Sequence, residues 1–549
     1  MAFKPLEKRL NTNYAPSDEE LQEISHILVE PLAHLARMND EIERAQTTLD
    51  ELERQRDKLV RHINQYRALT SPIRRIPREI LQEIFINCLP ADRPAVMSER
   101  EAPLLIGRVC SGWRSISQST PELWTSVHVS IPNTNLSASG TSNTDYVVAS
   151  NCLAKLRTAA LQEWLQRSGS LPVDISFFQG EDWTYRPLDF NPINEPHPIV
   201  DTILSISRRW RKLTVAAQGP SMVCLLTRPH DLPLLETLDL SFPSMGQSIV
   251  AESPKSEYNV FRTPSLRRLS FTQSSGDFLD FPVNWANLTD LSMEGDSWEG
   301  LSLHHAVRLL SQCPQLVRCS LEIRMPGGPP IPSSPLTLFH LKCFSIFEGV
   351  DVTDMFDCLD LPALREVEYH TSFVPNPHKK PSVLTLLRNS NRSVQKLTTD
   401  PKWFIMEDLI ECLHFIPDAT SLILKPSRIN MDMGWFDPTI LDKEFLYSFL
   451  PSASDTLCPK LKFLEINSPL NFSSQDLLGF ILEKQSDALS DISNLERIKI
   501  VFPHSLREDI MPHLTEFVQE GLDVQLIYAE PLAMAIFSPS RGLPTAIWA

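Results

Sequence analysis

Glycine is scarce in this sequence, 17 of 549 residues, which leaves few loops able to cradle phosphate groups with backbone amides. No GxxxxGK[ST] or GxGxxG pattern occurs, so no nucleotide-binding loop is expected. HExxH, GxSxG and the kinase signature set are missing too. The ten cysteines are scattered and no two have CxxC spacing, which removes the usual zinc and thiol-redox arrangements. A chain of this length buries a core without disulfides, so reduced thiols are expected. Positive charge is outnumbered: 51 Lys and Arg against 68 Asp and Glu leave −17. That balance argues against nucleic acid or an anionic membrane surface as partner. No run of about 18 apolar residues exists, so no membrane span is expected. The opening MAFKPLEKRLNTNY lacks an apolar signal-peptide segment. These absences predict a cytoplasmic or nuclear protein with no membrane or nucleic-acid partner.

What is present is ordinary globular composition, 42% apolar and 22% charged, and a length that predicts two to four domains. Residues 1–16 read as a flexible terminus and 17–70 as helix. Ser17 and Glu20 have capping-box spacing. Pro31 predicts the end of a short first helix near Glu30. Beyond it, Leu35, Ile42, Leu49 and Ile63 recur at multiples of seven, and Met38, Leu52 and Leu59 form the companion stripe. Leu28, Ala45 and Tyr66 extend these two rows, and Arg56 interrupts the first. Such a seam serves a homodimeric coiled coil or a helix packed on its own chain, and both readings stay open.

Residues 72–126 form the next region. Pro77 suits the first turn of a helix, and Ile80, Leu81, Ile84, Phe85 and Cys88 are expected on one face of it. A second helix carries Leu104, Leu105, Val109 and Cys110, with Trp113 and Ile116 continuing its face, before Leu123 and Trp124 close the unit. The polar insert PADRPAVMSERE between the helices predicts a surface loop. A unit of about 50 residues cannot hide so many large apolar side chains by itself, so part of them must meet another surface.

The order Ile76-Pro77-x-Glu79-Ile80, Ile84-Phe85, Leu89, Leu105, Val109-Cys110, Trp113-Arg114, Ile116 and Leu123-Trp124 resembles the F-box family, and most of all the F-box proteins of mushroom-forming fungi. The match covers about 50 residues and departs from the family's tight connection at the insert. It implies a three-helix F-box whose face meets a Skp-family adaptor and, through it, a cullin. Ile76, Pro77, Ile80, Leu81, Ile84, Phe85, Leu105, Val109, Trp113, Leu123 and Trp124 would build that unit and its docking face. The chain would then be a non-catalytic substrate receptor for ubiquitin-dependent degradation, with an unidentified protein target and no cofactor.

From residue 127 to about 530 the pattern L-x-x-L-x-L recurs. The instances are Trp124-Val127-Val129, Trp210-Leu213-Val215, Leu235-Leu238-Leu240, Leu266-Leu269-Phe271, Leu288-Leu291-Met293 and Leu316-Cys319-Leu321. Six more follow: Leu341-Phe344-Ile346, Leu364-Val367-Tyr369, Val394-Leu397-Thr399, Ala419-Leu422-Leu424, Leu461-Leu464-Ile466 and Leu495-Ile498-Ile500. Strand plus helix at this period predicts a leucine-rich-repeat-like solenoid. Pro243, Ser274, Asp296 and Arg324 stand where regular repeats carry Asn or Cys, so irregular turns are expected. A helix over 149–168 should join the F-box to this region, residues 326–330 should form an exposed loop, and 531–549 a loose tail. The fold class expected is α+β: coiled-coil helix, three-helix F-box and irregular α/β solenoid. A non-ligase coiled-coil and repeat scaffold is the competing function. His304-His305 reads as a helix start and not a metal site, and Asp351, Asp354 and Asp357 as a solvated face.

Overall fold

The computed structural model describes residues 10, 12–131, 143–179, 196–217, 219–241, 257–272, 278–294, 300–325, 335–374, 376, 378–390, 393–427, 440–453, 455–486, 492–502 and 509–528, with 143–153 and 219 as backbone only. Most of 1–16, the 326–330 loop and the 531–549 tail lie outside these residues, as do Pro243, Ser274 and Asp296. The chain divides into two compact units, Met1–Leu81 and Gln82–Ala549.

The first unit is dominated by α1 (Asp18–Thr70), a single helix of 53 residues. Ser17 caps it with the predicted capping box to Glu20. The expected stop at Pro31 does not occur, and the helix runs through it. Proline removes one i to i−4 hydrogen bond at a cost of about 3 kcal/mol. Here the flanking residues are strong helix formers and the gap lies on a solvent-exposed turn, so the helix absorbs the loss. None of its residues is buried. A turn at Pro72–Arg75 follows, and the division between units falls inside α2 (Arg78–Asn87).

The second unit is a mixed α/β assembly around one large parallel sheet. Among the described residues fourteen strands follow one another across this sheet in sequence order, from Ser126–Ile131 to Asp523–Tyr528, and a short strand at Leu301–Ser302 joins the side of Arg318–Met325. Every one of the twelve L-x-x-L-x-L instances ends on one of these strands. Their central apolar positions stand in one register row, in which Leu213 pairs with Leu238, Leu238 with Leu269 and Leu269 with Leu291. The row continues through Cys319, Phe344, Val367, Leu397, Leu422 and Leu464 to Ile498. All of these side chains are buried. Alternation along a strand sends one residue inward and the next outward, so leucine every second position builds a continuous core row by row.

The connections between the described strands differ in length and type. Helices of 10 and 11 residues at Leu303–Gln312 and Ser474–Lys484 alternate with 3₁₀ turns such as Trp285–Asn287. The helix expected to join the helical segment to the sheet, α5 (Asn143–Arg167), starts earlier than predicted and lies between two paired strands of the sheet itself, Ser126–Ile131 and Val173–Gln179.

One buried carboxylate organises the middle of this core. Glu348 is 2% exposed. It accepts from Ser382 Oγ at 2.5 Å, from Val352 N at 3.2 Å and from the Tyr369 hydroxyl. Burial pushes its pKa up, and these donors oppose the shift. Replacing Glu348 with Ala removes the shared acceptor of three buried donors, of which Ser382 Oγ keeps contacts to Asp351 and Thr353, so a loss of about 2–4 kcal/mol is expected in urea unfolding, with Gln losing clearly less. Equal losses for both variants would show that the side chain's volume matters, and its acceptor atoms do not.

Candidate functional site

The segment 72–126 sorts its apolar residues in a way the sequence pattern did not resolve. On α2, Leu81 and Phe85 are buried at 6% and 1%, while Ile80 and Ile84 stay 52% and 41% exposed. The expected single face is therefore two stripes, each at i, i+4, offset by about 100° per residue. Cys88 is exposed. Ile76 is half-buried and Pro77 exposed at the entry to the helix.

The expected second helix is also two: α3 (Ile106–Val109) and α4 (Ser111–Gln118). Between them Cys110 is fully extended, with φ −160° and ψ 170°. Its Sγ accepts from Trp113 N at 3.4 Å and so caps α4. The break turns Ile106 into the buried residue of α3, whereas Leu105 and Val109 remain 46% and 59% exposed. Arg114 Nε donates to Gly107 O at 2.8 Å across the break. The Phe85 and Trp113 rings lie 4.9 Å apart.

Trp124 fastens this segment to the rest of the second unit. It is 2% exposed. Its Nε1 donates to Ser117 O at 2.8 Å. The Trp164 ring of α5 meets it edge-on at 4.9 Å, and the Arg167 guanidinium lies 4.6 Å above it. Gln82 Nε2 adds a 2.9 Å bond to Thr120 Oγ1.

The insert is not the polar surface loop expected. Ala95, Val96 and Ala102 are buried. Val96 forms a parallel bridge to His128, whose N–H donates to Ala95 O at 2.8 Å. Arg93 pairs with Glu101 at 2.5 Å, and Glu101 also accepts from Val96 N at 3.0 Å. Small apolar residues inside the polar stretch let it lie along the free edge of the first strand, satisfying backbone groups that an edge leaves open.

The segment's own core is therefore Phe85, Ile106, Leu123 and Trp124, and it leaves Ile84, Leu105 and Val109 open to solvent. Ile106 and Trp164 were missed by sequence reasoning. The signal for Trp164 was its place on the apolar side of the 149–168 helix, while nothing local separates Ile106 from Leu105.

A second feature lies on the outward face of the sheet. A groove of about 320 Å³ runs over the central strands. Its floor is the register row Ser270, Ser292, Ser320 and Ser345, with Asp239 and Glu368 at its ends. Beside it a row of alternating charge ties neighbouring strands together. Asp290 receives both Arg268, at 3.6 Å, and Arg318, while Glu366 pairs with Lys396 at 3.2 Å. Ser345 meets Glu368 at 3.5 Å, and it is that carboxylate which His370 and Lys425 approach, at 3.3 and 3.0 Å. The His370 contact holds the Glu368 carboxyl down at about 2, so it stays ionised as an ion-pair hub.

His305 is engaged at its helix start by Ser302 Oγ, 3.1 Å from Nδ1. Asp351 accepts from Thr353 and pairs with Lys379 at 2.8 Å. Among the described residues no group of three His, Cys, Asp or Glu side chains could hold a metal ion, and no helix is long and apolar enough to cross a membrane. Compared with known proteins, the sequence matches no family model and no curated protein.

Proposed function

We propose that this chain is a substrate-receptor subunit of an SCF-type cullin-RING ubiquitin ligase. In this reading the segment 72–126 is an F-box that docks a Skp-family adaptor, and the parallel sheet is a leucine-rich-repeat-like solenoid that presents a protein target. The observation that carries it is the split within the helical segment. Phe85, Ile106, Leu123 and Trp124 are spent on an internal core, while Ile84, Leu105 and Val109 remain 41–59% exposed. Large apolar side chains left open on a small, well-packed unit mark a protein-binding surface. The resemblance of the residue order to the F-box family names the partner. The outward sheet face, with its groove over Ser270 to Ser345, is the surface we assign to the target, and proximity to the ligase is the mechanism.

Mixing the purified full chain with a Skp-family adaptor tests the docking step. A stable complex is expected, and Val109→Asp should abolish it while the circular dichroism spectrum stays unchanged. A folded wild-type chain that ignores the adaptor would leave the scaffold reading in its place.

A further inference from the structure

We propose that α1 pairs with α1 of a second copy as a parallel, two-stranded coiled coil, so that the protein is a homodimer. A helix of 53 residues is about 80 Å long. In water a long helix draws most of its stability from packing an apolar face, not from propensity. Yet no residue of α1 is buried. Its seam residues Leu35, Ile42, Leu49, Leu52, Leu59 and Ile63 are each 41–60% exposed. Leu28, Met38 and Tyr66, in the same two rows, are also exposed.

The period of that seam identifies the occupant. Apolar side chains at an average spacing of 3.5 residues drift off one face of a straight helix. They stay in line only when two helices of the same period wind around each other. A second copy supplies an identical period with matched length and register. Pairing the seam would cover on the order of 800 Å² per helix, the size of a stable protein interface.

Residue choice sets the direction. The first row mixes Leu28, Leu35 and Leu49 with Ile42 and Ile63, opposite Leu52 and Leu59 in the second, so side-chain branching does not decide the direction and Arg56 does. Arg56 is the one charged residue in the first row. Its guanidinium is already engaged within its own helix, by Asp57 at 2.9 Å and Glu53 at 3.9 Å. In a parallel pair two such neutralised arginines share one layer beside water. An antiparallel pair would instead set each Arg56 against an apolar side chain of the second row.

Sedimentation velocity of the full chain at about 10 μM tests this, with no adaptor present, so the result is independent of the docking proposal. A mass twice the 62.3 kDa of the chain is expected. The double variant Ile42→Asp with Leu49→Asp should return to the single-chain mass with the melting of the sheet unit unchanged. Leu49→Cys should cross-link to itself under mild oxidation well beyond the wild-type background from Cys88 and Cys110, which are exposed. A wild-type monomer at 100 μM overturns the proposal. So does a dimer that survives the double variant, or a threefold mass. A dimer in which Leu49→Cys fails to cross-link overturns the parallel arrangement.

Discussion

Phe85→Ala is expected to cost about 3–5 kcal/mol of the helical segment's stability, as truncation of a fully buried phenylalanine does. Ile84→Asp, one position earlier, should leave thermal unfolding within about 0.5 kcal/mol of wild type. The two side chains share a helix and differ in what covers them: Phe85 is 1% exposed with its ring tilted against Trp113, while Ile84 is 41% exposed. Adaptor affinity reverses the ranking in meaning. Ile84→Asp should weaken binding by roughly 30-fold or more, the scale of a hot-spot loss, in a protein that is still folded. Phe85→Ala should weaken it only as far as the segment unfolds, and lower temperature should restore part of the binding. Calorimetric titration beside a melting curve separates them. If Ile84→Asp binds the adaptor as wild type does, the exposed stripe of α2 is not a contact surface.

Lys484→Met should stabilise the sheet unit by about 2 kcal/mol at pH 7. Lys484 closes the helix Ser474–Lys484 and is 2% exposed. Its ammonium donates to Phe449 O at 3.1 Å. Desolvation depresses its pKa to about 8, against an ordinary 10.5. The unfolded chain therefore holds a proton that the folded chain has released between those two values. Stability rises with pH wherever the unfolded state binds more protons. The wild type should thus gain stability from about pH 8 to 10.5, with the full cost of the buried charge present below about 8. Methionine fills similar volume without a charge, so its variant should be more stable at pH 7 and lose this part of the slope. Urea unfolding at pH 7 and pH 9.5 measures both. A less stable methionine variant would mean that the bond to Phe449 O outweighs desolvation.

The apolar rows of α1 and of the strands were legible because each is a periodic signal repeated many times, 3.5 along the helix and two along a strand. What escaped was decided by single residues. Ile80, Leu81, Ile84 and Phe85 are chemically alike, and the ring of Trp113 lies against Phe85 and not against Ile84 one position earlier. Cys110 breaks a helix through an extended backbone that its residue type does not announce. Ala95 and Val96 sit among Arg, Asp and Glu, so their burial depends on a strand edge more than 25 residues away in the chain. Lys484 ends an amphipathic helix where a lysine is ordinarily solvated. The exposed rows of the sheet, including the serines of the groove, carry no pattern strong enough to mark them as a site.

The pairing of Val96 with His128 has a further consequence for how the chain can be cut. A fragment starting after residue 110 would keep every strand and look self-sufficient on paper. It would also bare the edge of Ser126–Ile131 at His128, whose N–H now donates to Ala95 O, a point at which other chains could pair. The sheet's first edge is thus covered at His128 by a stretch of chain that belongs, by sequence, to its neighbour.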